Sequence, residues 1–293
     1  MTRRAIILNP NGGRGRALRR AEAVRAQLAK AGIDVEWHQT EGPSHATDLA
    51  RGLAESGMDV IAAMGGDGTL NEVLAGMISS NSALAVLPAG TGNDFARHIG
   101  FRSLAKAVDA FVNGEAQPVD VARVNGRPFI NTVACGFDAQ VGERVNLGFK
   151  WARGTAAYVL AVAETLAKLK AAELKLTIDG QSFAFRANLC AIANASSYGG
   201  GMKIAPMAQI ADGALDVIVV EEVGRLELLQ QFPKMAISGS HVSHPKVHCL
   251  RGREIRATVS EPWPYLVDGE MGGRVPLEVQ IEPAAVRVMQ LPT

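Results

Sequence analysis

The sequence predicts an α/β domain followed by a β-rich domain, with the boundary near residue 120. Three observations predict this class: strand-like and helix-like segments alternate over the first hundred residues, glycine-rich loops follow the strands of that half, and hairpin-type turns join short strands afterwards. Alternation of strand and helix is typical of a mainly parallel, doubly wound sheet. Ligands of such sheets bind at the carboxyl ends of the strands, so the loops that follow the strands are candidate sites.

The elements of the first half follow from hydrophobic periodicity and from glycine, proline and asparagine breaks. Short apolar runs predict buried strands, and apolar residues three or four positions apart, such as Leu18, Ala21, Val24 and Leu28, predict one face of a helix. The predicted strands are 5–8, 33–37, 59–64 and 83–87, and the predicted helices are 16–30, 45–56 and 69–77, with a further helical piece after residue 94.

The second half changes to short strands joined by turns. Asn125-Gly126 and Asp179-Gly180 are hairpin signals, which favour antiparallel pairing. The predicted strands are 119–124, 129–134, 174–178, 183–193, 215–220, 254–259, 265–267 and 277–281, and the predicted helices are 152–171 and 226–238.

The composition is that of an ordinary globular protein and excludes several function classes. The 293 residues are 47% hydrophobic and 20% charged, with a formal net charge of +1. The balanced charge gives no support for bulk nucleic-acid binding. Cys135, Cys190 and Cys249 lie far apart and form neither a zinc pattern nor a disulfide framework, which points to a reducing cytoplasm. No apolar stretch approaches the roughly 20 residues of a membrane-spanning helix, so we expect no transmembrane segment.

The first candidate site is the polar loop after the third predicted strand, which consists of Gly65, Gly66, Asp67, Gly68, Thr69, Leu70 and Asn71. Glycines let a backbone approach a ligand, and free N–H groups at a helix start form an anion site. Asp67 adds a carboxylate, which suits phosphate if a divalent cation bridges the two. The alternative is a tight strand-to-helix turn capped by Asp67.

Two further loops have the same form. Thr91, Asn93 and Asp94 follow the fourth predicted strand, and Asn9 begins a glycine-rich turn that contains Arg14. Asn93 and Asp94 are also ordinary helix caps, and Arg14 or its neighbour Arg16 is either a phosphate ligand or a solvated side chain. Loops at neighbouring strand ends face one crevice, which favours a nucleotide site. Neither a standard P-loop nor a dinucleotide fingerprint is present.

These motifs resemble the diacylglycerol kinase catalytic family, which includes bacterial lipid kinases and, more distantly, ceramide and sphingosine kinases. The resemblance lies in Asn9-Pro10 with its glycines, in GGDGTLNEV at 65–73 and in PAGTGNDFAR at 88–97. GGDGT is shared with NAD kinases, whereas the second motif is more specific to lipid kinases. The likeness continues through 133–139, 194–200, 206–216, 238–247 and 267–270.

The resemblance implies two domains with an active site in the cleft between them. The first is an ATP-binding, NAD-kinase-like α/β domain of residues 1–120, to which about 283–293 return, and the second is a β-sandwich-like lipid-substrate domain of residues 121–282. By the family pattern, ATP would meet Thr40, the loop 65–71 and Thr91. A lipid substrate at a membrane surface is implied, as is a cytoplasmic protein with contact at the inner membrane face, and a homodimer is allowed.

The resemblance also assigns roles that the residues alone leave open. Asp268-Gly269-Glu270 indicates only a polar turn, whereas the family pattern makes Glu270 the base that takes the proton of the acceptor hydroxyl, with Asp268 in support. Asp212-Gly213 indicates a turn before a strand. The pattern adds a structural Mg²⁺ there, held by the Asp212 carboxylate and the carbonyls of Gln209 and Ala214.

A catalytic Mg²⁺ is the second metal implied. Asp67, Asn93 and Asp94 would hold it through waters, because magnesium keeps much of its hydration. Lys168 or Lys170 either joins this network or is solvated.

The predicted function is therefore ATP- and Mg²⁺-dependent phosphorylation of the hydroxyl of diacylglycerol or a related lipid. The alternatives are an NAD kinase-like enzyme, suggested by the shared GGDGT, and a nucleotide- or lipid-binding protein without turnover. The sequence does not separate diacylglycerol from phosphatidylglycerol, a sphingoid base or an undecaprenol-like alcohol as the acceptor.

Overall fold

A computed structural model describes residues 2–148 and 155–292. Its contacts divide the chain into two compact units: unit 1 comprises residues 1–121 and 282–293, and unit 2 comprises residues 122–281. No helix among the described residues is long and apolar enough to cross a membrane. The beginning of the helix predicted at 152–171 lies outside the described residues.

Unit 1 alternates strands and helices. In chain order they are β1 (Arg4–Leu8), α1 (Gly12–Lys30), β2 (Glu36–Gln39), α2 (His45–Glu55), β3 (Val60–Gly65), α3 (Asp67–Met77), β4 (Ala83–Pro88), α4 (Asp94–His98), α5 (Leu104–Asn113) and β5 (Glu115–Val124), whose last residues enter unit 2.

The sheet of unit 1 is parallel, in the order β4-β3-β1-β2. The last strand of the chain, β15 (Leu277–Gln290), extends it through Arg287 and Val288, which pair in parallel with β4. From β1 the chain moves to β2 on one side and then crosses to β3 and β4 on the other. This reversal between β1 and β3 is the topological switch point at which open α/β sheets bind ligands. The predicted doubly wound α/β class is confirmed.

The core of unit 1 lies around the central strands. All six residues of both β3 and β4 are buried, as expected for parallel strands covered by helices. Helix α1 buries Ala17, Ala21, Val24 and Leu28, a spacing that aligns them on one face. The sequence prediction placed Leu18 on this face. Leu18 is instead 49% exposed, because Ala17 completes the stripe one position earlier.

Unit 2 contains most of the remaining strands. In chain order its elements are β6 (Arg127–Phe129), β7 (Thr132–Gly136), α6 (Phe137–Asn146), α7 (Thr155–Ala167), β8 (Ala172–Ile178), β9 (Gln181–Ala193), β10 (Leu215–Glu221), α8 (Arg225–Ile237), a 3₁₀ helix (Ser240–Ser243), β11 (Val247–Gly252), β12 (Glu254–Val259), β13 (Pro264–Val267), β14 (Glu270–Arg274) and the first part of β15.

The strands of unit 2 pair in antiparallel fashion, in the order β14-β13-β7-β9-β8-β12-β15, and β10 also pairs with β9 and β11. Side chains of β9 alternate between two cores. Cys190 and Ile192 join a core built from strands and loops, whereas Leu189 and Ala191 join a second core to which α6, α7 and α8 contribute. This alternation is the period-two pattern of a sheet covered on both faces. The predicted β-rich second half is confirmed.

Two predicted strands differ from the structure. The strand predicted at 33–37 lies at Glu36–Gln39, because the parallel register with β1 pairs Ala5 with Glu36 and Leu8 with Gln39. The strand predicted at 129–134 is two strands, β6 and β7. Backbone N–H groups between them donate to the Asp268 carboxylate, so the chain leaves the ladder there. Helices α5 and α6 and strands β11 and β14 were not predicted.

Candidate functional site

Three glycine-containing loops meet at the carboxyl ends of β1, β3 and β4. They approach so closely that side chains would collide: a Cβ on Gly13 would lie 2.2 Å from the Ala89 carbonyl oxygen, and one on Gly90 would lie 2.3 Å from the Gly66 Cα. Glycine is therefore required by contact between backbones at these positions. Gly13 also has a φ of 59°. The three loops form one surface of closely packed backbone at the switch point of the sheet.

Hydrogen bonds fix the loops to one another. The carbonyl of Gly65 accepts from the backbone N–H of Ala89 and of Gly90, at 2.7 and 2.9 Å. Asn9 Nδ2 donates to Thr69 Oγ1 at 3.0 Å, which joins the first loop to the first turn of α3. The Asn93 side chain accepts from the N–H of Gly90 and donates to its carbonyl. The geometry is preorganised, as a binding surface for a polyanion requires.

Asp67 lies at the centre of this surface. Its Oδ1 accepts from the N–H of Asp94 at 2.8 Å and of Phe95 at 3.4 Å, so it caps the start of α4. Burial, and then the charge of Asp94, raise the pKa of Asp67. A Cβ on Gly92 would lie 2.9 Å from Asp67 Oδ2 and 3.3 Å from Asp94 Oδ2. Two carboxylates thus border the same small space.

This arrangement fits a divalent cation. Burial first, and then the charge of Asp94, raise the pKa of Asp67, and a cation bound beside Asp67 would offset both effects. Arg97 already pairs with Asp94, with its Nη1 at 2.9 Å from Asp94 Oδ1. Among the described residues no cluster of three or more His, Cys, Asp or Glu side chains is placed to hold a metal. A cation at Asp67 and Asp94 would therefore keep water or phosphate oxygens as its other ligands, which is the usual environment of Mg²⁺.

Asn71 has a buried side-chain amide without a hydrogen-bond partner among the described residues. The residue is 7% exposed, and neither Oδ1 nor Nδ2 of its side chain has a hydrogen-bond partner among the described residues. Leaving a buried amide unpaired costs about 1–3 kcal/mol. A ligand that supplies both a donor and an acceptor at the first turn of α3 would remove this cost.

The other predicted nucleotide residues have different environments. Thr40 is buried at the end of β2, where its N–H donates to Leu8 at 2.9 Å, and Thr91 is exposed. Arg14 is exposed, whereas the Arg16 guanidinium donates to the carbonyls of Gly13 and Gly90. Arg16 therefore ties two loops together, and Arg14 is the arginine that faces solvent. Of the remaining loop residues, Leu70 belongs to the buried core and Gly68 is half-buried.

In unit 2, Asp268 holds the backbone. Its carboxylate accepts from the N–H of Ile130 at 3.0 Å, of Asn131 at 3.0 Å and of Thr132 at 2.7 Å. Asp268 itself has a φ of 49° in the turn between β13 and β14. The carboxylate thus closes the gap between β6 and β7 and fixes the turn that carries Glu270.

Glu270 begins β14, and its side chain is 54% exposed. It pairs with Arg127, whose Nη2 lies 2.6 Å from Glu270 Oε2. The ion pair uses one of the two carboxylate oxygens of Glu270. Arg127 was not predicted from the sequence. The pair is 143 residues apart, and the single available signal was its position directly after the Asn125-Gly126 turn.

The predicted structural metal site contains a guanidinium. Asp212 pairs with Arg251 of β11, and Asp212 Oδ1 accepts from the N–H of Ala214 at 3.2 Å. Burial and the charge of Asp212 raise the pKa of Asp216, and Arg251 acts against them. The positive charge next to Asp212 is thus supplied by Arg251. Gln209 is exposed before the turn. Lys168 pairs with Glu164 on its own helix and is otherwise solvated.

Unit 2 also contains an apolar pocket, which the sequence did not predict. A small cavity of about 30 Å³ lies between the sheet and α8. The apolar side chains that line it are Phe137, Leu189, Val220, Val223, Leu228, Met235 and Val247. The sequence of such residues predicts only that they are buried, because the periodicity is the same whether the side chains pack fully or leave a space.

Four polar residues, Asp138, Gln231, His241 and His244, also line the pocket. Asp138 accepts a hydrogen bond from the Tyr198 hydroxyl, and burial raises the pKa of Asp138 to about 7. Gln231 Oε1 and His241 Nδ1 are buried without a partner among the described residues. An apolar lining with a few polar groups is common in ligand sites, and at about 30 Å³ this cavity has room for one or two water molecules.

Comparisons with known proteins agree with both halves of the chain. Residues 3–124 match the diacylglycerol kinase catalytic domain, and residues 131–290 match the YegS C-terminal NAD kinase beta sandwich-like domain. A diacylglycerol kinase of Bacillus subtilis is 33% identical over 95% of this chain and 93% of its own length. One of Mycobacterium tuberculosis is 31% identical over 97% and 94%.

Among solved structures, a diacylglycerol kinase of Bacillus anthracis is similar in fold. It covers 99% of this chain and 97% of its own, with a TM-score of 0.77 and 24% sequence identity. The predicted resemblance and the β-sandwich character of the second half are confirmed.

Proposed function

The chain belongs to the diacylglycerol kinase family, and from this premise we propose that it is an ATP- and Mg²⁺-dependent kinase that phosphorylates the hydroxyl of diacylglycerol or a related lipid. One observation carries the proposal: three glycine-containing loops converge at the switch point around Asp67 and Asp94. A crevice of close-packed backbone with paired carboxylates suits a nucleotide triphosphate accompanied by a divalent cation.

The loops of unit 1 would bind and orient the phosphoryl donor. Phosphoryl transfer relies almost entirely on positioning and on stabilisation of charge, because the protein has little covalent chemistry to perform. Backbone N–H groups of the loops and the exposed Thr91 hydroxyl offer neutral donors to phosphate oxygens. Arg14 offers a cation at the same edge, and Asn71 offers the buried amide. When bound, Mg²⁺ would neutralise the charge that develops on the phosphate oxygens.

Glu270 is our candidate for the base. A carboxylate that accepts the hydroxyl proton orients the oxygen for attack on the γ-phosphorus. Arg127 would keep Glu270 in place, and the three hydrogen bonds of Asp268 would fix the turn beneath it. We therefore assign Asp268 a positioning role, and Glu270 the proton transfer.

The pocket of unit 2 is our candidate for the apolar part of the acceptor. Seven of its eleven lining residues are apolar, and burial of hydrocarbon provides about 0.8 kcal/mol per CH₂ group. At about 30 Å³ the cavity would have to widen to admit an acyl chain. Asp138 and His241 would face the polar end of such a molecule. A homodimer and a location at the inner membrane face stay predictions.

The test is transfer of label from γ-labelled ATP to acceptors presented in mixed micelles with Mg²⁺. The panel contains diacylglycerol, phosphatidylglycerol, a sphingoid base and undecaprenol, with NAD as a non-lipid acceptor. Label on a lipid and none on NAD is the expected result. Label on NAD alone would establish the NAD kinase alternative, and ATP binding without transfer to any acceptor would leave a binding protein.

A further inference from the structure

Helix α8 has two apolar faces, and only one of them is covered by protein. Leu228 and Met235 point to the pocket of unit 2. On the opposite side, Leu226 is 69% exposed, Leu229 is 49% exposed and Ile237 is 76% exposed. Pro233 lies between them and is also exposed. At 100° per residue these four positions fall on one stripe of the helix, which we call the outer face of α8.

The charges of α8 are arranged around this stripe. Arg225 and Lys234 are exposed and lie on opposite flanks of the outer face. Neither forms an ion pair with an acidic side chain in the part of the chain that the structure describes. The acidic residue of α8, Glu227, lies on the same flank as Lys234, about 20° further round the helix, and it pairs with His244 at 3.2 Å. Lys203 adds a further exposed cation beside the end of α8, where its N–H donates to Met235.

An apolar stripe between basic flanks is the pattern of a helix that lies in the plane of a membrane interface. The apolar side chains enter the boundary between headgroups and acyl chains, and the cations stay level with lipid phosphates. Gln230 and the two cations give the stripe a polar border. Leu226 and Ile237 are its most exposed apolar residues, at 69% and 76%, and a fluid hydrocarbon layer accepts such side chains without the matching hollow that a protein partner would need.

The position of the pocket supports the same occupant. The residues that line the pocket and the residues of the outer face lie on opposite sides of one helix. Only the width of α8, about 10 Å, would therefore separate the bilayer from the pocket. We propose that the outer face of α8 docks this protein on the surface of an anionic phospholipid bilayer, with the pocket of unit 2 directly behind the docked helix. This inference rests on the proposed lipid acceptor, because it explains how a water-exposed enzyme reaches a molecule dissolved in a membrane.

The test is sedimentation with vesicles, which needs no catalysis. Wild type, a Leu226→Gln/Leu229→Gln/Ile237→Gln variant and an Arg225→Gln/Lys234→Gln variant are mixed with phosphatidylcholine vesicles and with vesicles that also contain phosphatidylglycerol. The apolar variant should bind roughly tenfold or more weakly to both kinds of vesicle. The basic variant should lose roughly tenfold on the anionic vesicles and little on the others. Leu18→Gln is the matched control, since Leu18 and Leu229 are equally exposed at 49%.

Several outcomes would overturn the inference. Equal vesicle binding by wild type and the apolar variant would exclude the outer face of α8, and an equal loss in Leu18→Gln would show a general effect of surface apolarity. Light scattering measures the mass of each variant in solution. If substitution of the outer face lowers that mass and leaves vesicle binding unchanged, the outer face is a contact between two copies of the chain. Circular dichroism confirms that each variant is folded.

A second readout separates this inference from the proposed function. Transfer to a short-chain diacylglycerol dissolved as monomers should be unchanged in the outer-face variants, whereas transfer to long-chain diacylglycerol in anionic vesicles should fall with binding. If the proposed function is wrong, wild type transfers label to neither substrate but still binds vesicles. Failure of the docking inference would leave both transfers unchanged in the variants.

Discussion

Gly90→Ala tests whether backbone contact between the loops creates the nucleotide site. The added Cβ would lie 2.3 Å from the Gly66 Cα, 3.1 Å from the Gly66 nitrogen and 3.0 Å from Asn93 Oδ1. Carbon atoms pack at about 3.5–4.0 Å, so the two loops must separate by roughly 1 Å or more. The Gly66 nitrogen and Cα, which the Cβ approaches, are backbone atoms and cannot move aside by a change of rotamer.

The magnitude follows from the contacts that this separation breaks. Overpacking of this kind costs about 1–3 kcal/mol. The N–H of Gly90 donates to Gly65 and to Asn93, and weakening each bond adds about 0.5–1.5 kcal/mol. We expect the free energy of unfolding to fall by about 2–6 kcal/mol. A displacement of about 1 Å at a reacting group lowers turnover roughly 100-fold.

The assay combines urea unfolding, calorimetric titration with ATP and Mg²⁺, and label transfer. Gly52→Ala is the matched control, because its Cβ would meet nothing within 4 Å in the middle of α2, and it should raise stability by about 0.5–1 kcal/mol. Wild-type ATP affinity and turnover in folded Gly90→Ala would refute the reasoning that the loop contact forms the site.

Three further predictions follow from the carboxylates. Asp67→Asn should abolish label transfer and yet raise the melting temperature at neutral pH. The reason is that burial and the charge of Asp94 raise the pKa of Asp67 above the unfolded value of 3.8, so the ionised carboxylate destabilises the folded state. A lower melting temperature would contradict this. Asp268→Ala should lower the free energy of unfolding by about 2–4 kcal/mol, since three N–H groups lose their acceptor, and Asp268→Asn by less; urea unfolding at unchanged midpoint would remove Asp268 from that role. Burial raises the pKa of Asp138 from 3.8 to about 7, so between these pH values the native state binds one proton more than the unfolded state. The stability of wild type relative to Asp138→Asn should therefore fall as the pH rises from about 4 to about 7, and should stay level at higher pH. If thermal unfolding shows a stability difference that is independent of pH, this carboxyl does not titrate in that range.

The arrangement of unit 1 was largely predictable from the sequence because its signals are local. The buried apolar runs of β1, β3 and β4 are each followed by glycine within a few residues, and the strand order places these loops at one edge. The start of β2 was wrong, since its apolar residues Ile33 and Val35 precede the pairing that register with β1 imposes. Leu18 was misplaced because a neighbouring alanine satisfies the same helical period.

The site in unit 2 was less predictable because its contacts are long-range. The pairing of Glu270 with Arg127, of Asp212 with Arg251 and of Asp268 with the backbone at 130–132 joins residues far apart in the chain. Periodicity cannot report such partners. The apolar pocket was hidden for a different reason, since residues that line a space and residues that fill one have the same pattern. The predicted meeting of the two halves around one active site stays a prediction.

The assignment of Glu270 as the base is tested most directly by single-turnover transfer of the γ-phosphoryl group to the lipid acceptor. Wild type and Glu270→Gln are compared, and ATP affinity is measured in parallel. Loss of the carboxylate should slow transfer roughly 100-fold or more, the usual contribution of a general base. ATP affinity should be unchanged, because the loops that bind the nucleotide lie in unit 1. Transfer at the wild-type rate in Glu270→Gln would contradict the assignment of the base, and loss of ATP binding in that variant would contradict the placement of the nucleotide site.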